Sequence, residues 1–233
     1  MSLGIPFVNV DHLDAHVFAH FIDGEKPPLP FLCLLVSGGH TQIVLVNENF
    51  EMKILGKTID DAAGEAFDKA GKMLGLSYPS GPIIDNLAKE GNPRAFKFNT
   101  PNVDKLDYSF SGLKTSILYF LQKEMKENPN FIKQHLNDLC ASIQHTIVSY
   151  LLLKLKKAME ETGVKSIGIA GGVAANSALR DSLTKLANDT GSKAYIPKFE
   201  YCTDNAAMIA FAGKIKLEQK QVGTLTDVCY TRK

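Results

Sequence analysis

The run FLCLLV, residues 31–36, places six apolar side chains in a row and is followed at once by SGGH and then TQIVLV. A strand that is apolar at every position is one buried on both faces. The glycine turn after it, with β-branched residues resuming, reads as a hairpin. A second apolar strand, in VKSIGIAGG at 164–172, also ends in glycines and leads into the helix NSALRDSLTKLAND. A short strand is expected at IPFVNV (5–10) and a helix at DHLDAHVFAHFID (11–23) with Asp11 as its N-cap; GEKPPLP then forms a linker. A third strand near FEMKIL precedes a helix in DDAAGEAFDKAGKML, and PIIDNLAKEG reads as another helix with Pro82 in its first turn. Two long helices, SFSGLKTSILYFLQKEM and NDLCASIQHTIVSYLLLKLKKAMEE, a strand at KAYIPKF and a last helix in TDNAAMIAFAGKIKLEQK complete the pattern. Alternation of this kind predicts an α/β fold.

The chain has 26 basic and 25 acidic residues, a net charge of +1, so no global field advertises nucleic-acid binding. An RNA contact would need a local patch, and Arg94, Lys97, Lys105 and Lys114 are scattered. No apolar run approaches the roughly 20 residues of a membrane span, and the first residues lack the order of a signal peptide, which makes the cytoplasm the default expectation and a membrane partner unexpected. Cys33, Cys140, Cys202 and Cys229 form no CxxC pair, which fits reduced structural thiols rather than a disulfide frame or a zinc cage.

Three glycine clusters sit where strands reverse or end: Gly38 with Gly39, Gly81, and Gly171 with Gly172. In GIAGGVAANSALR a buried strand runs through two glycines into a helix, which lets backbone approach a phosphate at a helix N-terminus. In SGGH consecutive amides can form an anion-binding nest. Each alone is equally an ordinary tight turn; together they favour a phosphate ligand. Neither matches a P-loop or a G-x-G-x-x-G dinucleotide fingerprint.

His12, His16 and His20 recur every four residues, which stacks them on one helical face. They either pack or hold a metal, since a pair at i and i+4 can reach one ion. A zincin-type protease needs Glu directly after the first His; here Leu13 stands there, and Asp14 points off the shared face. A third ligand could come from Asp204, whose ordinary role in the first turn of its helix is that of a cap. Asp61, Glu65 and Asp68 share a face by spacing, against one lysine. That is either a solvated surface or a place to hold a sugar diol, with Asp68 nearest the YPSG turn.

Taken in order, HLDAH, LLVSGGHTQI, DDAAGEAFDKAGKMLGLSYPSGP, DYSFSGLKT, GGVAANSALR and CTDNAAMIA resemble the TsaD family of tRNA threonylcarbamoyladenosine transferases, formerly called O-sialoglycoprotein endopeptidases. The resemblance covers the chain from about residue 4 to 215, and SGGHTQ looks like the bacterial and organellar branch. It implies an actin-like, sugar-kinase-like and Hsp70-like ATPase fold of two lobes, with nucleotide and metal in the cleft between them. Carried over by motif, His12, His16 and Asp204 are the expected ligands of one divalent ion, zinc or iron(II), and His20 falls outside the motif. Leu35, Val36, Ser37, Gly38, Gly39, Asp68, Gly81, Asp85 and Asn176 are the expected contacts of threonylcarbamoyl-AMP. The implied reaction passes the threonylcarbamoyl group to the adenosine beside the anticodon of tRNA, and the implied partners are TsaB-like and TsaE-like proteins. A zinc metalloprotease and a non-catalytic, ATP-regulated scaffold are the alternatives.

Two departures bear on this. The family often has two adjacent histidines where this chain has Asp11 then His12. Family members also begin with a lobe ahead of the metal-binding segment, whereas here MSLG leads almost directly into it. The expectation is therefore the second lobe with a remnant of the first: residues 1–28 as that remnant, 29–200 as the nucleotide-binding lobe, and 201–233 as a helix and tail returning toward the first. It includes MSL as a vector addition and little or no transferase activity for this piece alone.

Overall fold

The computed structural model describes residues 5–224 and 226–228. A five-stranded mixed sheet organises it: β1 (Phe31–Val36), β2 (Thr41–Val46), β3 (Met52–Lys57), β4 (Ser166–Ala170) and β5 (Lys193–Tyr195), in the spatial order β3-β2-β1-β4-β5. The β1–β2 and β2–β3 pairs are antiparallel hairpins, and β4 and β5 join in parallel. The helices are α1 (His12–Phe18), α2 (Ala63–Met73), α3 (Ser80–Ala88), α4 (Ser111–Glu127), α5 (Phe131–Gln134), α6 (Leu136–Thr162), α7 (Ser177–Asp189) and α8 (Ala206–Glu218).

The unbroken apolar run of β1 has a simple cause. Successive side chains alternate across a sheet, and here both faces are covered. Leu32, Leu34 and Val36 enter one core with Ile43, Phe67, Ile84, Tyr108, Phe110 and the inner face of α6. Phe31, Cys33 and Leu35 enter a second core with Leu13, Val17, Phe18, Met208 and Ala212. All six β1 residues are at most 1% exposed, and each large one contributes about 2 kcal/mol of burial. Because β1 and β4 run parallel, the SGGH and GGVAA turns that follow them project from the same end of the sheet.

Several expectations are corrected. Residues 5–10 form no strand: Ile5 and Phe7 stay exposed, and the Phe7 carbonyl accepts instead from the Gly223 amide of the tail. The strand expected over 193–199 ends at Tyr195, because Pro197 cannot donate to a ladder and Phe199–Tyr201 turns as a 3-10 helix. The first helix ends at Phe18 and tightens into a 3-10 turn over Ala19–Phe21, which rotates His20 off the face of His12 and His16. Cys33, Cys140 and Cys202 are buried free thiols; Cys229 and residues 1–4 lie outside the described residues. Among the described residues no helix is long and apolar enough to cross a membrane.

Candidate functional site

Asp11 caps α1: its carboxylate accepts from the Leu13 and Asp14 amides at 2.9 and 3.1 Å. The helix so anchored aims two imidazoles at one point. His12 Nε2 and His16 Nε2 each lie 3.2 Å from the same oxygen, Oδ1 of Asp204, and the three ligand atoms fall within 4.8 Å of one another. Asp204 does not cap α8. Asn205 takes that position, its Oδ1 accepting from the Met208 amide at 2.9 Å, so the Asp204 carboxylate sits before the helix, 77% exposed and turned to the histidines. Burial, then the neighbouring His12, hold the His16 pKa below its ordinary value despite Asp204, which keeps the ring neutral and able to ligate. Its Nδ1 is buried without a hydrogen-bond partner among the described residues, so packing together with the Nε2 contact to Asp204 sets the ring. Two imidazoles and a carboxylate suit zinc or iron(II).

His20 is not part of this cluster. It is buried against Phe31 and donates from Nε2 to the Ile169 carbonyl at 2.9 Å, and burial lowers its pKa to about 4. Leu13, which occupies the position of a zincin's base, is itself buried.

On the other face of the β1–β2 hairpin lies a cleft of about 520 Å³, and three helix starts converge on it. Gly64 of α2, Gly81 and Pro82 of α3, and Asn176 at the N-cap of α7 line it, together with Gly38, Asp68, Asp85 and Gly172. The helix starts are bound to one another by side chains. The α2 start is held by the hairpin, with the Ala63 amide donating to Thr41 Oγ1 at 2.8 Å and the Gly64 amide to the Ser37 carbonyl at 3.2 Å. Asp68, one turn further along α2, accepts from the Ser80 amide at 2.7 Å and so caps α3. From α3, Asp85 in turn accepts from the amide and hydroxyl of Ser177, at 3.1 and 2.7 Å. Asn176 caps α7 through Leu179 and donates to Gln144 Oε1 at 2.6 Å. Helix N-termini carry unpaired N–H groups and positive dipole, so a wall built from them favours an anion. A Cβ at Gly38, Gly81 or Gly172 would meet nothing but open space, so backbone is presented bare to the cleft.

Five of the nine expected substrate residues, Gly38, Asp68, Gly81, Asp85 and Asn176, therefore line one cavity. The other four do not. The Leu35 and Val36 side chains are core, on opposite faces of β1. Ser37 closes the hairpin, its amide donating to the His40 carbonyl at 2.8 Å and its Oγ accepting from the His40 amide at 3.0 Å, and Gly39 lies in that turn outside the lining. The shared acidic face divides. Asp61 and Glu65 both pair with Lys69, at 2.6 and 2.7 Å, while Asp68 turns to the cleft. Tyr78, Asn86 and Lys89 also line the cavity and were not expected; Lys89 follows Asp85 at i+4 on α3, a spacing that could have indicated it. Arg94, Lys97, Lys105 and Lys114 are all exposed.

Comparison with known proteins bears on this arrangement. The model of the family described as TsaD, tRNA N6-adenosine threonylcarbamoyltransferase, matches residues 1–211. A protein of that name from Riemerella anatipestifer is 54% identical over 235 residues, covering 100% of this chain and 69% of the relative. One from Porphyromonas gingivalis is 50% identical, covering 100% and 70%. Among solved structures, full-length HypF in a phosphate- and nucleotide-bound form superposes over 94% of this chain and 37% of its own, with a TM-score of 0.69 at 12% identity. Component A of (R)-2-hydroxyglutaryl-CoA dehydratase from Acidaminococcus fermentans follows at 0.50, 16% identical, covering 90% and 68%. These structural likenesses show the fold, a mixed α/β sheet with helices packed on both faces. On the family match and these identities, the chain belongs to the TsaD family of tRNA N6-adenosine threonylcarbamoyltransferases.

Proposed function

We propose that this chain supplies the metal centre and the adenylate cleft of a tRNA-modifying transferase, which moves a threonylcarbamoyl group from threonylcarbamoyl-AMP to the adenosine beside the anticodon. The observation that carries the metal reading is the meeting of His12 Nε2 and His16 Nε2 at a single oxygen of Asp204, each at 3.2 Å. Those three side chains would hold one divalent ion, zinc or iron(II). When bound, such an ion supplies Lewis acidity that polarises the carbamoyl group for attack by the N6 amine.

The remaining work falls to this chain's own residues. The starts of α3 and α7 direct amides and dipole at the phosphate of the adenylate. Gly38, Gly81 and Gly172, bare toward the cleft, let it approach the backbone. Asp68 keeps one carboxylate oxygen on Ser80 and offers the other to a ribose hydroxyl. Asp85 and Asn176 hold the α7 start in place, and Asn176 presents the rest of its amide to the ligand. In the reaction the carbon–oxygen bond to phosphate breaks, a carbon–nitrogen bond to N6 forms, and AMP and a proton are released. In this reading residues 29–200 form the nucleotide lobe, residues 1–28 and 201–233 bring the metal ligands to it, and TsaB-like and TsaE-like proteins are the partners.

The test uses a chimera extended to the length of the Riemerella anatipestifer relative, given labelled threonine, bicarbonate, ATP, an adenylate-forming enzyme and tRNA. Label should reach tRNA with the unaltered sequence and fall to background with Asp204→Ala. Equal labelling by both would contradict the metal reading and favour a scaffold.

A further inference from the structure

Arg180, on α7, has a role that neither the cleft nor the ligand set assigns. Its guanidinium donates from Nη2 to the Pro197 carbonyl at 2.6 Å and from Nη1 to the Ala174 carbonyl at 3.2 Å, and Nη1 lies 3.7 Å from Cys202 Sγ. The group also lies over the Phe199 ring, 4.2 Å from its centroid. These acceptors belong to two different segments. Ala174, fully buried, sits in the turn Gly172–Ala175 whose neighbours line the cleft. Pro197 and Cys202 bracket the 3-10 turn Phe199–Tyr201, and Asp204 stands two residues beyond Cys202. Cys202 is buried and extends the link, its thiol donating to the Lys198 carbonyl at 3.5 Å.

We infer that Arg180 is a positioning residue that fastens the Asp204 segment to the cleft turn and so sets the metal ligands at a fixed place relative to the adenylate. The inference rests on the reading of both sites given above. Among the other polar contacts of this segment, those of Lys198 and Tyr201 with Asp23 are solvent-exposed and screened, so they hold it weakly, and those of Asp204 with His12 and His16 belong to the ligand set being positioned. Only a planar fork of several N–H donors reaches acceptors on two segments and stacks on a ring at once, so lysine is not an equivalent.

The experiment compares the 233-residue chain with Arg180→Lys and Arg180→Met. Zinc affinity is read by competition with a chromophoric chelator and AMP affinity by calorimetry, with fold and melting temperature checked by circular dichroism. Arg180→Lys should stay folded yet bind zinc roughly tenfold more weakly, the scale on which supporting groups act on a metal site. Phe199→Leu, which keeps every hydrogen bond, should bind zinc like the unaltered chain. A purely structural role would lower the melting temperature and leave the zinc affinity of the folded protein alone; that result for Arg180→Lys overturns the inference. Failure of the unaltered chain itself to bind zinc or AMP would instead overturn the site reading, and the inference with it.

Discussion

Asp204 and Asn205 are neighbours with divided duties: Asn205 caps α8 through the Met208 amide, and Asp204 meets His12 and His16. The two roles separate by substitution. Asn205→Ala removes a cap and should cost about 1 kcal/mol in urea denaturation. Asp204→Ala, at an exposed position outside the helix, should leave stability within a few tenths of that of the parent and abolish metal retention. Equal destabilisation by both would place Asp204 in the cap after all.

His20 makes stability depend on pH. Burial holds its folded pKa at about 4, below the ordinary 6.5, so the folded state takes up its proton later than the unfolded state. Stability is therefore full above pH 6.5 and is lost as pH falls toward 4, by about 3 kcal/mol for the whole shift. Urea denaturation between pH 4 and 7.5 in chelator should show this slope, and His20→Gln should flatten it. An unchanged slope in the variant would place the titrating group elsewhere.

Gly64 and Gly81 both line the cleft, but they should respond differently to a methyl group. A Cβ on Gly64 would stand 2.6 Å from the Ser37 carbonyl oxygen, so Gly64→Ala must push the hairpin away from α2 and should cost about 2 kcal/mol. Gly81 has open space, so Gly81→Ala should leave the melting temperature nearly unchanged. Its methyl group enters the cavity instead, and AMP binding by calorimetry should weaken roughly tenfold, or about 1.4 kcal/mol. Unaltered AMP affinity would move the ligand away from the α3 start.

What the sequence made legible was the part governed by local rules. The six-residue apolar run of β1 reports burial on both faces, and Asp11 announces the start of α1, because alternation and capping need only nearby residues. The metal cluster was half legible: His12 and His16 follow from helical spacing, whereas Asp204 lies 188 residues beyond His16 and joins them only through the packing of α1 on α8. His20 obeyed the same spacing and was separated by a change from α to 3-10 geometry that no residue signals. Leu35 and Val36 were named from a motif, but a motif does not tell which of its residues present backbone and which fill the core. Asp68 was legible as an acid near the YPSG turn and Asp85 came only with the resemblance; their second duty, each capping the next helix around the cleft, required the tertiary structure.

The central claim, that His12, His16 and Asp204 share one cation, is tested most directly by metal content. The purified chain, loaded with zinc or iron(II) and freed of excess, is to be measured by elemental analysis beside His12→Ala and His20→Gln. The account predicts about one equivalent for the unaltered chain and for His20→Gln, and little for His12→Ala. Metal retained in full by His12→Ala, or absent from all three, would contradict it.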